Sequence, residues 1–416
     1  MKKAVLAGFA TAMMGLGAAV LVVPADAAPE ASYAEGQIMV QFRDNGAAAD
    51  VLRRHGLKQG PRIGSTDAHL IEVPEGKELQ LIEALSRNPA VEYAEPDHLV
   101  TAATDDQYFP RQYALQNDGQ SFTNTNGDIL VAKGKVDADV DAVEAWKATT
   151  GSGIKVAVLD SGVANDNNDI TPNVVARANF TNGESGDDNY GHGTHMAGHI
   201  AATSNNTEGV AGMCPGCKVL DGKVLNDSGI GSSSSLANGI NWSVSNGAKV
   251  INMSLGVQAS RTLENAVNNA WNKGSVLVAA AGNGGNQTKI YPGAYPNVIA
   301  VAATDNNDAK ASFSTYGASW VDVAAPGVNV YSTFPNHTFV LGTQNKRSLG
   351  YDVGNGTSVS SAIVAATAAL AWSADPGTTH TSVRARVEST AEKIAGTGTY
   401  WAHGRVNACD AVKCSR

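Results

Sequence analysis

Three short segments carry side chains whose types and order suit hydrolysis through a covalent intermediate. VAVLDSGV contains Asp160, NYGHGTHMAGHIA contains His192, and NGTSVSSAIVAATAAL contains Ser358. A serine hydroxyl is a weak nucleophile at neutral pH. It needs a neighbouring base, and the base needs a third group that fixes its tautomer. Serine, imidazole and carboxylate fill those roles, and the chemistry they imply is acyl transfer from an ester or amide to Ser358 and then to water.

The surrounding residues predict elements that would hold these groups at one surface. Lys155 to Leu159 is an apolar, β-branched run that reads as a buried strand, with Asp160 at its end and Ser161-Gly162 turning the chain away. Open α/β sheets place their sites at such strand ends. His192 opens a helical pattern after a loop rich in Gly, Asn and Asp, and Ser358 follows Asn355-Gly356-Thr357 into an Ala-rich apolar helix. A hydroxyl at a helix start lies among amides that favour developing negative charge, and the Ser358 N–H is itself an expected oxyanion donor.

The three segments resemble the subtilase family of serine proteases, and the stretch from about Asp105 onward is most similar to its thermitase-like branch. The chain order Asp, His, Ser is the order of that family. The resemblance implies that Asn283, at the end of the strand-like SVLVAAAGN, donates its amide to the oxyanion of the tetrahedral intermediate. It also implies that Ser254-Leu255-Gly256 and Gly229-Ile230-Gly231 are the edges between which a peptide lies as an added strand. Ile290, before Tyr291-Pro292, would be the floor of the primary specificity pocket. A branched residue there makes the pocket shallow and favours Ala, Val or Leu over Phe or Tyr. Ser233 stands where relatives carry an aromatic flap, so the outer subsite is expected to be open. Val359 and Ala362 replace the Met and Pro that relatives have after the nucleophile, which implies a less rigid turn at an intact site.

The resemblance further implies a structural Ca²⁺ held by Asp106, Asp169, Asn206 and Glu208 with the carbonyls of Thr203 and Val210, a set of hard oxygen donors. A second, weaker cation site would use Asp322 with carbonyls of Gly293, Tyr295 and Val298.

The expected organisation has four parts. Residues 1–27, with Lys2-Lys3, an apolar stretch and Ala25-Asp26-Ala27-Ala28, read as a signal peptide rather than a membrane anchor. Residues 28–101 alternate short strands and helices (QIMVQF, AAADVLRRHGL, AHLIEVP, ELQLIEALSRN, VEYAE) as a small α+β module. In this position it resembles the family's inhibitory and chaperoning propeptide, whose last segment would occupy the cleft and be released by self-cleavage between about Val100 and Asp105. Residues 102–145 form an N-terminal arm of the mature enzyme. Residues 146–416 form the catalytic domain, a doubly wound parallel α/β sheet with helices on both faces, in which KVAVLD, KVLDGKVL, KVINMSLG, SVLVAAAGN and NVIAVAATD are strands and 358–374 and 379–394 late helices.

With 416 residues the chain has room for more than one domain. A net charge of −9 without a Lys/Arg cluster argues against a nucleic-acid surface. The expected product is a secreted, extracellular monomer with no membrane anchor, whose partners are protein substrates and its own propeptide. The four cysteines allow three pairings. Proximity favours Cys214–Cys217 and Cys409–Cys414 in an oxidising compartment, with a redox or zinc role for the CPGC segment as the alternative. An esterase would present its serine in GxSxG rather than GTSVS, and a silent binding protein would have lost one of the reactive residues.

Overall fold

The computed structural model describes residues 33–43, 45–64, 66–98, 104–183 and 185–414. The expected signal peptide, and Val100 to Ala103 of the expected cleavage segment between Val100 and Asp105, lie outside these residues. The chain divides into two compact units, Met1–Thr101 and Ala102–Arg416.

In the first unit, β1 (Tyr33–Phe42), α1 (Asn45–Arg54), β2 (Ala68–Glu72), α2 (Glu78–Ser86) and β3 (Val91–His98) follow one another. The strands form an antiparallel sheet of order β2-β1-β3. Ile38, Val40 and Phe42 alternate along β1 and bury one face against Ala48, Val51, Leu52 and Leu85 of the helices, the pattern that puts helices on a single side.

The second unit begins with a two-stranded ribbon, β4 (Phe122–Thr123) and β5 (Leu130–Val131), and then α3 (Ala142–Trp146). It continues with β6 (Lys155–Asp160), β7 (Val174–Asn179), α4 (His192–Ala201), β8 (Lys218–Lys223), α5 (Ser233–Ser245), β9 (Val250–Met253), α6 (Arg261–Asn272), β10 (Val276–Ala280) and β11 (Val298–Thr304). After these come β12 (Val323–Pro326), β13 (Val330–Thr333), α7 (Val340–Asn345), β14 (Tyr351–Gly354), α8 (Thr357–Ser373), α9 (His380–Ser389), β15 (Gly404–Arg405) and α10 (Ala408–Val412). Eight strands make one parallel sheet of order β15-β12-β11-β10-β9-β6-β8-β7. Their interiors are apolar because both faces are covered. One core contains α4 and α8 packed on the sheet, and the other gathers Leu236, Ile240, Leu263 and Val267 of α5 and α6 against Leu159, Ile251 and Leu277. β6 sits between β8 and β9, so strand order reverses there, at the place where open α/β sheets hold ligands.

Several expected element ends shift: KVINMSLG is a strand only over Val250–Met253 and SVLVAAAGN only over Val276–Ala280. The late helix expected over 379–394 ends at Ser389, because Glu392 instead exchanges backbone hydrogen bonds with Arg405 of β15, at 2.7 and 2.9 Å. The β8 run stops at Lys223 because the N–H groups of Val224 and Leu225 turn back to the Asp160 carbonyl. Both local disulfides are formed, Cys214–Cys217 and Cys409–Cys414. Among the described residues no helix is long and apolar enough to cross a membrane.

Candidate active site

Asp160 ends β6, buried, and its carboxylate accepts the N–H of Ser161 at 2.7 Å. Both its oxygens reach His192 Nδ1, at 2.8 and 2.9 Å. That contact assigns the Nδ1 proton to Asp160 and leaves Nε2 as the basic nitrogen. Burial pushes the imidazole pKa down, but the charge and hydrogen bond of Asp160, with Asp188 beyond, outweigh it and hold His192 above the ordinary histidine value.

His192 is the first residue of α4. Asp188, fully buried, supplies the cap for this helix start: it accepts the N–H groups of Gly191 and Thr194, both at 2.8 Å, and the hydroxyls of Thr194 and Ser161. Ser161 Oγ in turn accepts the Gly193 N–H, which ties the end of β6 to the first turn of α4. Lys223, buried beside Asp160 in the β6–β8 pairing, donates to the carbonyls of Ser161 and Asp187 and to Asp227.

Ser358 is the second residue of α8 and 8% exposed, so its N–H has no acceptor within the helix. Asn283 follows β10, and its Oδ1 accepts both the N–H and the hydroxyl of Thr357, at 2.9 and 3.0 Å. Thr357 Oγ1 accepts the Gly282 N–H at 3.0 Å. With Oδ1 occupied in this way, Asn283 presents Nδ2 to the site. Gly356 has φ +146°, and a β-carbon there would lie 3.3 Å from Asn283 Nδ2 and 3.6 Å from Ser358 Oγ. Only glycine leaves that space to the two groups.

Two cavities meet at this point. One, of about 560 Å³, is lined by Asn283, Thr357, Ser358, Gly282 and Ile290, and the other, of about 370 Å³, by His192, Tyr190, Leu225, Gly229, Ile230 and Gly231. They share the edge Leu255-Gly256-Val257. Ser254, just before that edge, is hydrogen-bonded to the Ser358 carbonyl at 2.8 Å and shares a buried cluster with Ser361 and Asn252. Gly229-Ile230-Gly231 forms the facing rim, with the Ile230 side chain 66% exposed. Ile290 stands between the two cavity walls, since β-carbons placed on Gly256 and Gly282 would lie 2.6 and 3.0 Å from its methyl and methylene carbons. Replacing Ile290 by glycine is therefore expected to deepen this cavity and to raise kcat/KM for Phe over Ala at the acyl side of the scissile bond. A matched peptide series measures it, and an unchanged ratio would remove Ile290 from the floor.

Asp106, Asp169, Asn206, Thr203, Glu208 and Val210 are brought together away from these cavities. Asp106 accepts the N–H groups of Asn205 and Asn206, and Asp169 accepts Asn206 Nδ2 and the Val210 N–H. The Thr203 N–H reaches the Asp169 carbonyl, and the Glu208 N–H reaches Asn206 Oδ1. Burial raises the pKa of both carboxyls, Asp169 to about 7; the charge of Asp105 adds to the rise at Asp106, and those of Asp106 and Glu208 to the rise at Asp169. The two buried carboxylates are met here by N–H groups, and the negative charge they hold is what a hard divalent cation would complement. The cluster is not rich in ionisable ligands, and among the described residues no group of three or more His, Cys, Asp or Glu side chains is placed to hold a metal. The weaker site expected at Asp322 meets a different arrangement. Arg384 approaches Asp322 Oδ1 at 3.4 Å and donates to the Pro296 carbonyl at 2.7 Å, so a guanidinium already supplies positive charge there.

Sequence reasoning missed Thr357, Asp188, Lys223 and Tyr190. A lysine inside the apolar run KVLDGKVL was the one visible signal, since a buried ammonium needs partners.

The fold is that of a subtilisin-like protein, and comparison with known proteins shows the family. The subtilase family model matches residues 151–405, and the fervidolysin N-terminal prodomain model matches residues 21–97. The chain belongs to the subtilase family, as a thermitase-like serine endopeptidase made with an N-terminal prodomain. It is 48% identical to thermitase of Thermoactinomyces vulgaris over 276 residues, covering 66% of this chain and 94% of thermitase. It is 39% identical to a thermophilic serine proteinase of Bacillus sp. strain AK1 over 390 residues, 92% of this chain and 88% of that protein. Among solved structures, a protease of Pseudoalteromonas arctica PAMC 21717 superposes with a TM-score of 0.65 at 30% identity, covering 75% of this chain and 99% of that one.

Proposed function

We propose that Asp160, His192 and Ser358 form the catalytic triad and that Asn283 Nδ2 and the Ser358 N–H form the oxyanion hole. The observation that carries this reading is the hold of both Asp160 oxygens on His192 Nδ1, which leaves Nε2 as the base. Ser358 Oγ attacks the substrate carbonyl while His192 Nε2 takes its proton. The negative charge on the former carbonyl oxygen is met by Asn283 and the start of α8. His192 then gives the proton to the leaving amine, and water repeats the sequence on the acyl-enzyme. The substrate lies extended between Ser254-Leu255-Gly256 and Gly229-Ile230-Gly231, so main-chain pairing accepts many proteins and the Ile290 floor sets a preference for small or medium apolar side chains. A fluorophosphonate probe should label the mature protein and not the Ser358→Ala variant, and absence of labelling in the wild type removes this reading.

The protein is synthesised as a zymogen whose prodomain, residues 28–101, inhibits it until released. Export by the segment 1–27 to the cell exterior accords with two disulfides in a chain of four cysteines. The mature enzyme, from about residue 102, acts as a monomer without a membrane anchor.

The side chains of Asp106, Asp169 and Asn206, with Glu208 and the carbonyls of Thr203 and Val210, would hold a structural Ca²⁺, which when bound neutralises the two buried carboxylates. A cation bound only to the folded state at 100 times its Kd adds about 2.7 kcal/mol. Chelation is expected to lower Tm by several degrees and to speed autolysis, and Asp169→Ala should abolish the difference between chelated and calcium-loaded protein. An identical Tm with and without chelator would remove the site.

A further inference from the structure

The turn that presents His192 is gripped from outside by a segment the mechanism above does not use. Gly191, immediately before His192, has φ +97°, and the space its β-carbon would fill is taken by the Phe339 ring, 2.2 Å away. The two residues before it are held by backbone: the Val340 N–H donates to the Asn189 carbonyl at 3.0 Å and the Leu341 N–H to the Tyr190 carbonyl at 3.1 Å. Phe339 is 2% exposed and stacks on Phe334 at 4.9 Å, and Phe334 stacks on His195 at 4.3 Å. His195 lies on α4 three residues beyond His192, so a single aromatic stack meets the helix both at Gly191 and within its first turn. The same segment is anchored at its start, where Asn336 N–H and His337 Nδ1 reach the Asp166 carboxylate at 3.1 and 2.8 Å.

We propose that Phe339, with the backbone of Val340 and Leu341, is a positioning element for the known reaction: it fixes the Asn189–Gly191 turn and thereby the direction in which His192 presents Nε2. This rests on His192 being the catalytic base. Asp160 holds only one edge of the imidazole, and the turn determines where the opposite edge points. Small misplacements of a catalytic group cost rate steeply, up to about 10² per ångström. Phe339 is a lining residue of neither cavity, so its loss should appear in kcat more than in KM.

Phe339→Ala is expected to lower kcat about tenfold per active site with KM within about twofold. It should also move the acid midpoint of the kcat/KM profile downward, because a loosened imidazole loses part of the Asp160 contact that raises its pKa. Phe339→Leu should recover part of both. Val340→Pro is the second variant, and the segment accepts it: Val340 is the first residue of α7, where proline is tolerated, and Phe339 before it is already extended at φ −132°, ψ 156°. It deletes the donor to Asn189, with a change of side chain, while Phe339 is kept, and should reproduce the kcat loss in milder form. Active-site titration normalises every rate. If both variants retain wild-type kcat per titrated site and the wild-type acid midpoint, or if activity falls only in proportion to titratable sites, the brace is overturned. An inactive wild type would instead sink the triad reading.

Discussion

Ser358→Ala is expected to leave a full-length species that retains the prodomain and to reduce kcat by about 10⁶, the size found for the nucleophile of subtilisin, a member of this family. The two outcomes share one cause. If the prodomain is removed by the protein's own site, the chain that cannot attack a carbonyl cannot mature, and the 28–101 segment should remain attached when the variant is expressed alone. Mass spectrometry of the secreted product reads this directly. Normal maturation of the variant would assign prodomain removal to another protease, while turnover within tenfold of wild type would remove Ser358 as nucleophile.

Asn283→Ala should lower kcat by about 10²–10³ and leave KM nearly unchanged, again the scale found for the corresponding donor in subtilisin. The reason is that the amide meets charge present only after attack, so its loss weakens the transition state and not the bound substrate. Thr357→Val separates donation from orientation. It removes the hydroxyl donor to Asn283 Oδ1 but keeps the Thr357 N–H donor, so a smaller fall is expected. Steady-state kinetics on one peptide substrate measures both variants, and an Asn283→Ala effect confined to KM would show a binding role instead.

Much of this site was legible in the chain because its residues stand at transitions between patterns. Asp160 closes a continuous apolar strand, His192 begins a 3.6-residue period after a glycine-rich loop, and Ser358 precedes an apolar helix. Periodicity finds such places from local sequence. The supporting residues were not legible, since their roles depend on partners distant in sequence. Thr357 orients Asn283 across 74 positions, and Phe339 reaches Gly191 from a segment with no strong pattern of its own. β12 and the β13–β14 hairpin also escaped notice. VAAP is too short to show a period, and Tyr331, Ser332 and Thr333 mix polar and apolar residues that are all buried, because the hairpin packs on α4. Tertiary cover, not alternation, explains those strands.

The burial of α8 carries a consequence for the timing of activity during synthesis. Its sixteen residues from Thr357 to Trp372 are all buried, and the helix touches β6, β9, β10, β11 and β12 as well as α4, α9 and α10. A helix apolar on every side cannot settle until all of those surfaces exist to receive it. The proposed nucleophile thus rides on a helix seated by eight other elements, and an emerging polypeptide that holds Asp160 and His192 without α8 lacks the third member of the proposed triad. Long-range assembly of this kind is slow. On the proposed triad, peptide-bond cleavage waits for the long-range contacts that seat α8.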